Sequence, residues 1–75
     1  MKRQRLDSSS LASVGYDPGR RVLEVEFLNG GVYEYEDVPE DAFHGLLEAE
    51  SKGRYLNGEI KPYYPSNRLQ AAPRH

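Results

Sequence analysis

The chain has no cysteine. Disulfides and a thiolate-bound zinc are therefore excluded as staples for the fold, and nothing marks an oxidising compartment. It also lacks a long apolar run. None approaches the ~18 residues that a membrane span needs. The basic start Met1-Lys2-Arg3-Gln4-Arg5 has no apolar segment behind it to make a secretory signal. A cytoplasmic protein with no membrane partner is the expectation. Histidine is nearly absent, with only His44 and His75. There is no Gly-rich phosphate loop, no zinc spacing and no nucleotide fingerprint. The N-terminal serines have no base partner in their sequence context. No catalytic residue, metal ligand or cofactor is therefore assigned, and the chain is read as a non-enzyme.

What is present is small and polar. The chain has 75 residues, 37% of them hydrophobic, and a mean hydropathy of −0.80. That is enough for one domain, monomeric by default, which buries only about 60% of its unfolded surface. A deep enclosed active site does not fit such a core.

Net charge is −2, which alone does not suggest a general nucleic-acid binder. Its distribution says more. Residues 1–21 carry Lys2, Arg3, Arg5, Arg20 and Arg21 against Asp7 and Asp17. Residues 22–50 carry no Lys or Arg and nine acids. Residues 51–75 carry Lys52, Arg54, Lys61, Arg68 and Arg74 against Glu59. The order is basic, acidic, basic. Such segregation serves solubility or attraction between segments as readily as it serves a partner.

Residues 1–7 read as a disordered basic tail. Ala12, Val14 and Tyr16 alternate with small residues, a strand pattern. Asp17-Pro18-Gly19-Arg20 is a turn, with Pro presetting φ and Gly19 supplying a positive φ. A second strand runs through Leu23, Val25 and Phe27, and Asn29-Gly30-Gly31 marks a hairpin. Tyr33 and Tyr35 share one face of a third strand. A two-residue loop would put Glu34 on the apolar face. A three-residue loop through Gly31 pairs Phe27 with Tyr33 and Val25 with Tyr35, and is preferred because a one-residue slip flips every side chain. The first turn then sets Tyr16 opposite Arg21, Val14 beside Leu23 and Ala12 beside Val25. The expected core face is Ala12, Val14, Leu23, Val25, Phe27, Tyr33 and Tyr35. On the other face Glu26 opposes Glu34 and Glu24 opposes Glu36, so that face must meet solvent or a cation.

A helix is expected over residues 39–51. Pro39 opens it, Glu40 and Asp41 sit at its positive end, and Ala42, Phe43, Leu46, Leu47 and Ala49 form its stripe. Gly53 then serves as the left-handed residue that ends it. Beyond Arg54 the chain reads as an irregular wrap with a short turn of helix near Asn57-Gly58-Glu59-Ile60, and with Leu56, Ile60 and Tyr63 or Tyr64 closing the core. Residues 70–75 read as a disordered tail. The fold class is α+β: a three-stranded antiparallel β-meander with one α-helix packed on its apolar face and an irregular C-terminal wrap.

With these residues placed, the chain resembles the KTSC domain family. The matching features are Ser9-Ser10, Val14-Gly15-Tyr16-Asp17, Leu23-Glu24-Val25-Glu26-Phe27, Gly30, Tyr33-Glu34-Tyr35, Val38-Pro39 and Ser51-Lys52-Gly53-Arg54-Tyr55, followed by Asn57, Ile60, Tyr64 and Arg68. They span residues 8–69. The set is specific in its order and spacing; no single motif is. The family takes its name from an appendage at the C-terminus of some lysyl-tRNA synthetases and also occurs as a stand-alone small bacterial protein. The resemblance implies an association with RNA through that context alone, a fold-level analogy. Pro62-Tyr63-Tyr64 departs from the more basic stretch of the family at this place, which counts against that implication.

Two surfaces are candidates. Lys52, Arg54, Tyr55, Lys61, Tyr63, Tyr64 and Arg68 interleave cations with aromatic rings, the mix used for single-stranded nucleic acid, with Arg20, Arg21 and the basic tail able to help. The plain alternative is a structural wrap whose tyrosines pack and whose cations face the acids. Glu24, Glu26, Glu34 and Glu36 form an acidic sheet face that suits a basic protein partner, and an open strand edge is a second route to a protein partner. Tyr33 and Tyr35 could stack bases, but the register places them under the helix as core. His44, with Glu40 and Glu48 one turn to each side, reads as solvated helix surface. The leading function is a non-catalytic binding module for tRNA-like or single-stranded RNA. The alternative is a protein-interaction module.

Overall fold

The alternating stretches become strands, but the sheet they build is wider than the expected meander. The structure, a computed structural model, describes residues 3–71. Five antiparallel strands lie in sequence order: β1 (Gln4–Arg5), β2 (Leu11–Asp17), β3 (Val22–Phe27), β4 (Val32–Tyr35) and β5 (Ser66–Gln70). Between β4 and β5 come α1 (Glu40–Glu48), α2 (Lys52–Tyr55) and a π-helical turn, Leu56–Ile60. The class is α+β, as expected. The count of three strands is corrected to five; the wrap carries the helical turn expected near Asn57–Ile60, as a π-turn, and is otherwise corrected to a second short helix and an edge strand.

The two added strands cover the meander's edges. Gln4 and Arg5, expected in a disordered tail, pair with Val14 and Ser13, and Leu6 N–H donates to Ala12 at 3.0 Å. At the other edge Glu36 N–H donates to the Pro65 carbonyl at 2.8 Å, and β5 follows alongside β4. The Asn67 and Gln70 side chains tie it to Glu36 and to the Gly30 carbonyl. Of the tail expected over residues 70–75, Gln70 lies in β5, and residues 72–75 are outside the described residues.

Both hairpin registers keep the expected faces but slide by two residues. Val25 pairs with Tyr33 and Leu23 with Tyr35, because the three-residue loop is Leu28-Asn29-Gly30. Phe27 N–H bonds to the Gly31 carbonyl, and Gly30 takes φ 95°. Glycine at the left-handed position of a three-residue loop is what that geometry requires. In the first hairpin Tyr16 pairs with Leu23 and Val14 with Val25. There the left-handed residue is Arg21, φ 56°, not Gly19. A bulge at Ala12 then exchanges the core position: Leu11 pairs with Phe27 and is fully buried, whereas Ala12 is half-buried. Leucine hides more apolar area than alanine, so this arrangement is favoured by the hydrophobic term.

The core is one cluster. Leu11, Val14, Leu23, Val25 and Tyr35 from the sheet meet Val38, Leu46, Leu56 and Ile60. Tyr16 pins α1 to the sheet: its ring stacks on Phe43 at 4.9 Å and its hydroxyl donates to the Val38 carbonyl at 2.6 Å.

Helix α1 ends at Glu48, three residues short of expectation, because Ser51 starts a new helix. Its Oγ accepts from the Arg54 N–H, as an N-cap serine does. Lys52 Nζ donates back to the Ala49 carbonyl at 3.1 Å, a cation beside the negative end of α1. Gly53 therefore caps nothing. It lies inside α2, where a Cβ would press on the Ser10 side chain.

Gly45 has a similar explanation. A Cβ there would overlap the Tyr55 phenol. Alanine should gain ~1 kcal/mol in helix propensity over glycine, yet Gly45→Ala is expected to destabilise the domain in urea unfolding. In a Tyr55→Leu background the same substitution is expected to stabilise, and the difference measures the coupling.

Candidate functional site

On the helix-covered face of the sheet, beyond the reach of the helices, lies an open groove of about 320 Å³. Phe27, Tyr33 and Tyr35 wall it, the hairpin turn at Asn29 and Gly31 closes one end, and Ser66 and Lys61 border it. Each arrives for a local reason. Alternation along β3 and β4 brings Phe27, Tyr33 and Tyr35 to one face. The Phe27 and Tyr33 rings meet edge to face, 5.6 Å apart and at 87°. The π-turn, closed by Lys61 N–H to the Leu56 carbonyl at 2.8 Å, buries Leu56 and Ile60 and delivers Lys61 to the rim. Strand β5 sets Ser66 across from Tyr35 and Arg68 across from Tyr33, so both point to the groove's side of the sheet. Burial pushes the Tyr35 phenol pKa up, and the neighbouring Tyr33 adds to the rise. The hydroxyl is thus a neutral donor at physiological pH.

The seven expected nucleic-acid residues divide. Lys61 lines the groove, and Arg68 stands opposite its wall residue Tyr33 on β5 without lining it. Both are exposed, and neither forms an ion pair among the described residues. Arg54 and Tyr63 are exposed, and Tyr63 keeps 70% of its surface open. Tyr55 and Tyr64 are half-buried and pack on the core. Lys52 borders a different hollow of about 240 Å³, shared with Asp7, Ser8, Ser9, Glu50 and Ser51. The two carboxylates there oppose a phosphate. Phe27, Asn29, Gly31, Tyr33, Tyr35 and Ser66 line the groove but are not among the binding residues expected from the sequence.

The acidic face is also rearranged. Glu24 opposes Glu34, while Glu26 opposes Val32, a correction to the expected Glu26–Glu34 and Glu24–Glu36 pairs. Ser13 Oγ donates to Glu26 at 2.9 Å, and Asn67 Nδ2 donates to Glu36 at 2.8 Å. Among the described residues no lysine or arginine pairs with these carboxylates, and no three His, Asp or Glu side chains gather as a metal set. His44 lies on exposed helix surface, 3.3 Å from Glu40. Among the described residues no helix is long and apolar enough to cross a membrane.

Comparison with known proteins places this architecture. Residues 7–64 match the KTSC domain. The chain belongs to the KTSC domain family. A crystal structure of a KTSC domain protein from Yersinia pestis superposes with a TM-score of 0.88 at 40% identity, covering 92% of this chain and 97% of that one. An uncharacterized protein of Stutzerimonas stutzeri is 53% identical over 64 residues, 85% of this chain and 90% of that protein. A lysine–tRNA ligase of a Nostoc species is 33% identical over 63 residues, 84% of this chain. The match covers 11% of that ligase, so a KTSC domain is there a small part of a much larger enzyme.

Proposed function

We propose that this KTSC domain is a non-catalytic module that binds single-stranded or tRNA-like RNA weakly. The observation that carries the reading is the pair Lys61 and Arg68, exposed and without ion-pair partners among the described residues, beside a groove walled by aromatic rings. Stacking on such rings contributes about 1–3 kcal/mol per base whatever the sequence. Cations on the rim attract phosphate and make binding salt-dependent. The ligase relative supports the reading by context, since a related segment occurs in an enzyme that acts on tRNA. A second reading rests on Glu24 and Glu34, which oppose each other and pair with no lysine or arginine among the described residues: this face docks a basic protein partner. Charge reversals separate the two. For RNA, Lys61→Glu is expected to weaken binding in a filter or anisotropy assay and Glu24→Lys to leave it equal or stronger. If Glu24→Lys disrupts complex formation and Lys61→Glu is silent, the protein reading replaces the RNA reading.

A further inference from the structure

Tyr35 is only 2% exposed, yet its hydroxyl has no hydrogen-bond partner among the described residues, unlike that of Tyr16. No fully buried side-chain oxygen or nitrogen in that range lacks a partner. The small open part of Tyr35 therefore includes its oxygen, and the surface it reaches is the groove it lines. A neutral donor on a nearly buried ring, aimed at open space, is placed to meet an acceptor from outside. Other polar groups converge there. Ser66 contributes a hydroxyl to the lining. Asn29 Oδ1 is taken by the Gly31 N–H at 2.9 Å, which leaves its amide Nδ2 as a donor. The perpendicular rings of Phe27 and Tyr33 form a corner in which a planar group can lie flat on one ring and meet the edge of the other.

We propose that the groove is a single-nucleotide pocket. One base lies against the Phe27–Tyr33 corner, the Tyr35 hydroxyl donates to an acceptor on that base or its ribose, and Lys61 and Arg68 hold the adjoining phosphates. This rests on the RNA reading above and narrows it to one position of a strand. A purely apolar ligand would leave the Tyr35, Ser66 and Asn29 donors without partners, which is costly. The volume, about 320 Å³, is at the small end of ligand pockets, about 300–1,000 Å³. It suits one nucleotide and not a helix of a partner protein.

The test is an amide NMR titration of the labelled full chain with a single-stranded RNA hexamer at low salt, on the wild type and on Tyr35→Phe. Because the hydroxyl has no internal partner, Tyr35→Phe should keep the spectrum and thermal midpoint of the wild type. Shifts are expected at Gly31, Tyr33, Tyr35, Lys61 and Ser66. Affinity is expected to fall about 2- to 12-fold in Tyr35→Phe, the worth of one neutral hydrogen bond, with the salt slope unchanged because no charge is removed. If RNA binds but the shifts lie outside the groove, or if Tyr35→Phe binds as well as the wild type, the pocket is wrong and the RNA reading stands. If no amide moves with RNA even at low salt, the RNA reading fails and the pocket fails with it.

Discussion

Replacing Lys61 and Arg68 together by glutamate is expected to abolish detectable RNA binding while leaving the fold unchanged. Both side chains are exposed, and substitutions at such sites usually change stability by less than about 0.5 kcal/mol. Their effect on an anion is larger. Two unit charges about 4 Å apart in water interact by about 1 kcal/mol. Reversal removes that attraction and adds a repulsion of similar size at each site. For two sites this is about 4 kcal/mol, roughly a thousandfold in Kd. Starting from weak binding, that leaves nothing to measure by anisotropy. The reversal of Lys52 is expected to matter much less, since its amine is engaged with the Ala49 carbonyl and its hollow already holds Asp7 and Glu50. If the Lys61/Arg68 double variant binds RNA as the wild type does, the groove cations are not the contact.

Leu46→Ala is expected to have the largest effect on stability. Leu46 is the one buried residue of α1, fully enclosed in the core cluster with Val38, Leu56 and Ile60. Truncating a buried leucine costs about 2–5 kcal/mol. At roughly 0.05–0.15 kcal/mol per residue, a chain of 75 residues holds about 4–11 kcal/mol in all. The variant should therefore unfold at a much lower urea midpoint, and at the lower end of that range it is largely unfolded without denaturant. Leu28 and Leu69 are the controls. They are 59% and 52% exposed, and their alanine variants should stay within about 0.5 kcal/mol of the wild type. A Leu46→Ala protein as stable as those controls would mean that α1 is not docked through Leu46.

The parts of this molecule that are legible in the sequence are those written in side-chain parity. Alternation in β2, β3 and β4 identifies the strands and puts Leu23, Val25, Tyr33 and Tyr35 on one face, and the stripe of α1 identifies the helix. Leu56 and Ile60 close the core as read. Parity does not set loop length, however. Leu28-Asn29-Gly30 and Asn29-Gly30-Gly31 are both three-residue loops with a glycine available, and they give the same faces with registers two residues apart. The bulge that buries Leu11 in place of Ala12 has no local signal either, because it is decided by the space under the helices. Strand β5 is illegible for a different reason. All five of its residues are exposed, so it shows no alternation, and it exists to satisfy the backbone edge of β4. Its absence from the sequence reading also hid the groove. Without β5, Ser66 and Arg68 have no place beside Tyr35 and Tyr33, and the basic residues read as one continuous patch. The Ser51 cap shows a local competition: a serine ahead of Lys52-Gly53-Arg54 starts a helix as readily as the stretch could end one, and the close approach of Ser10 to Gly53 fits the first outcome.

The most direct test is the salt dependence of RNA binding by the unmodified chain. A fluorescently labelled single-stranded RNA would be titrated by anisotropy between about 50 and about 200 mM salt. With two phosphates held by Lys61 and Arg68, log K should fall with log salt at a slope of about −1.4. Affinity would then drop roughly sevenfold across that range. Absence of binding at the lowest salt, or binding that salt leaves unchanged, would contradict the assignment of this surface to nucleic acid.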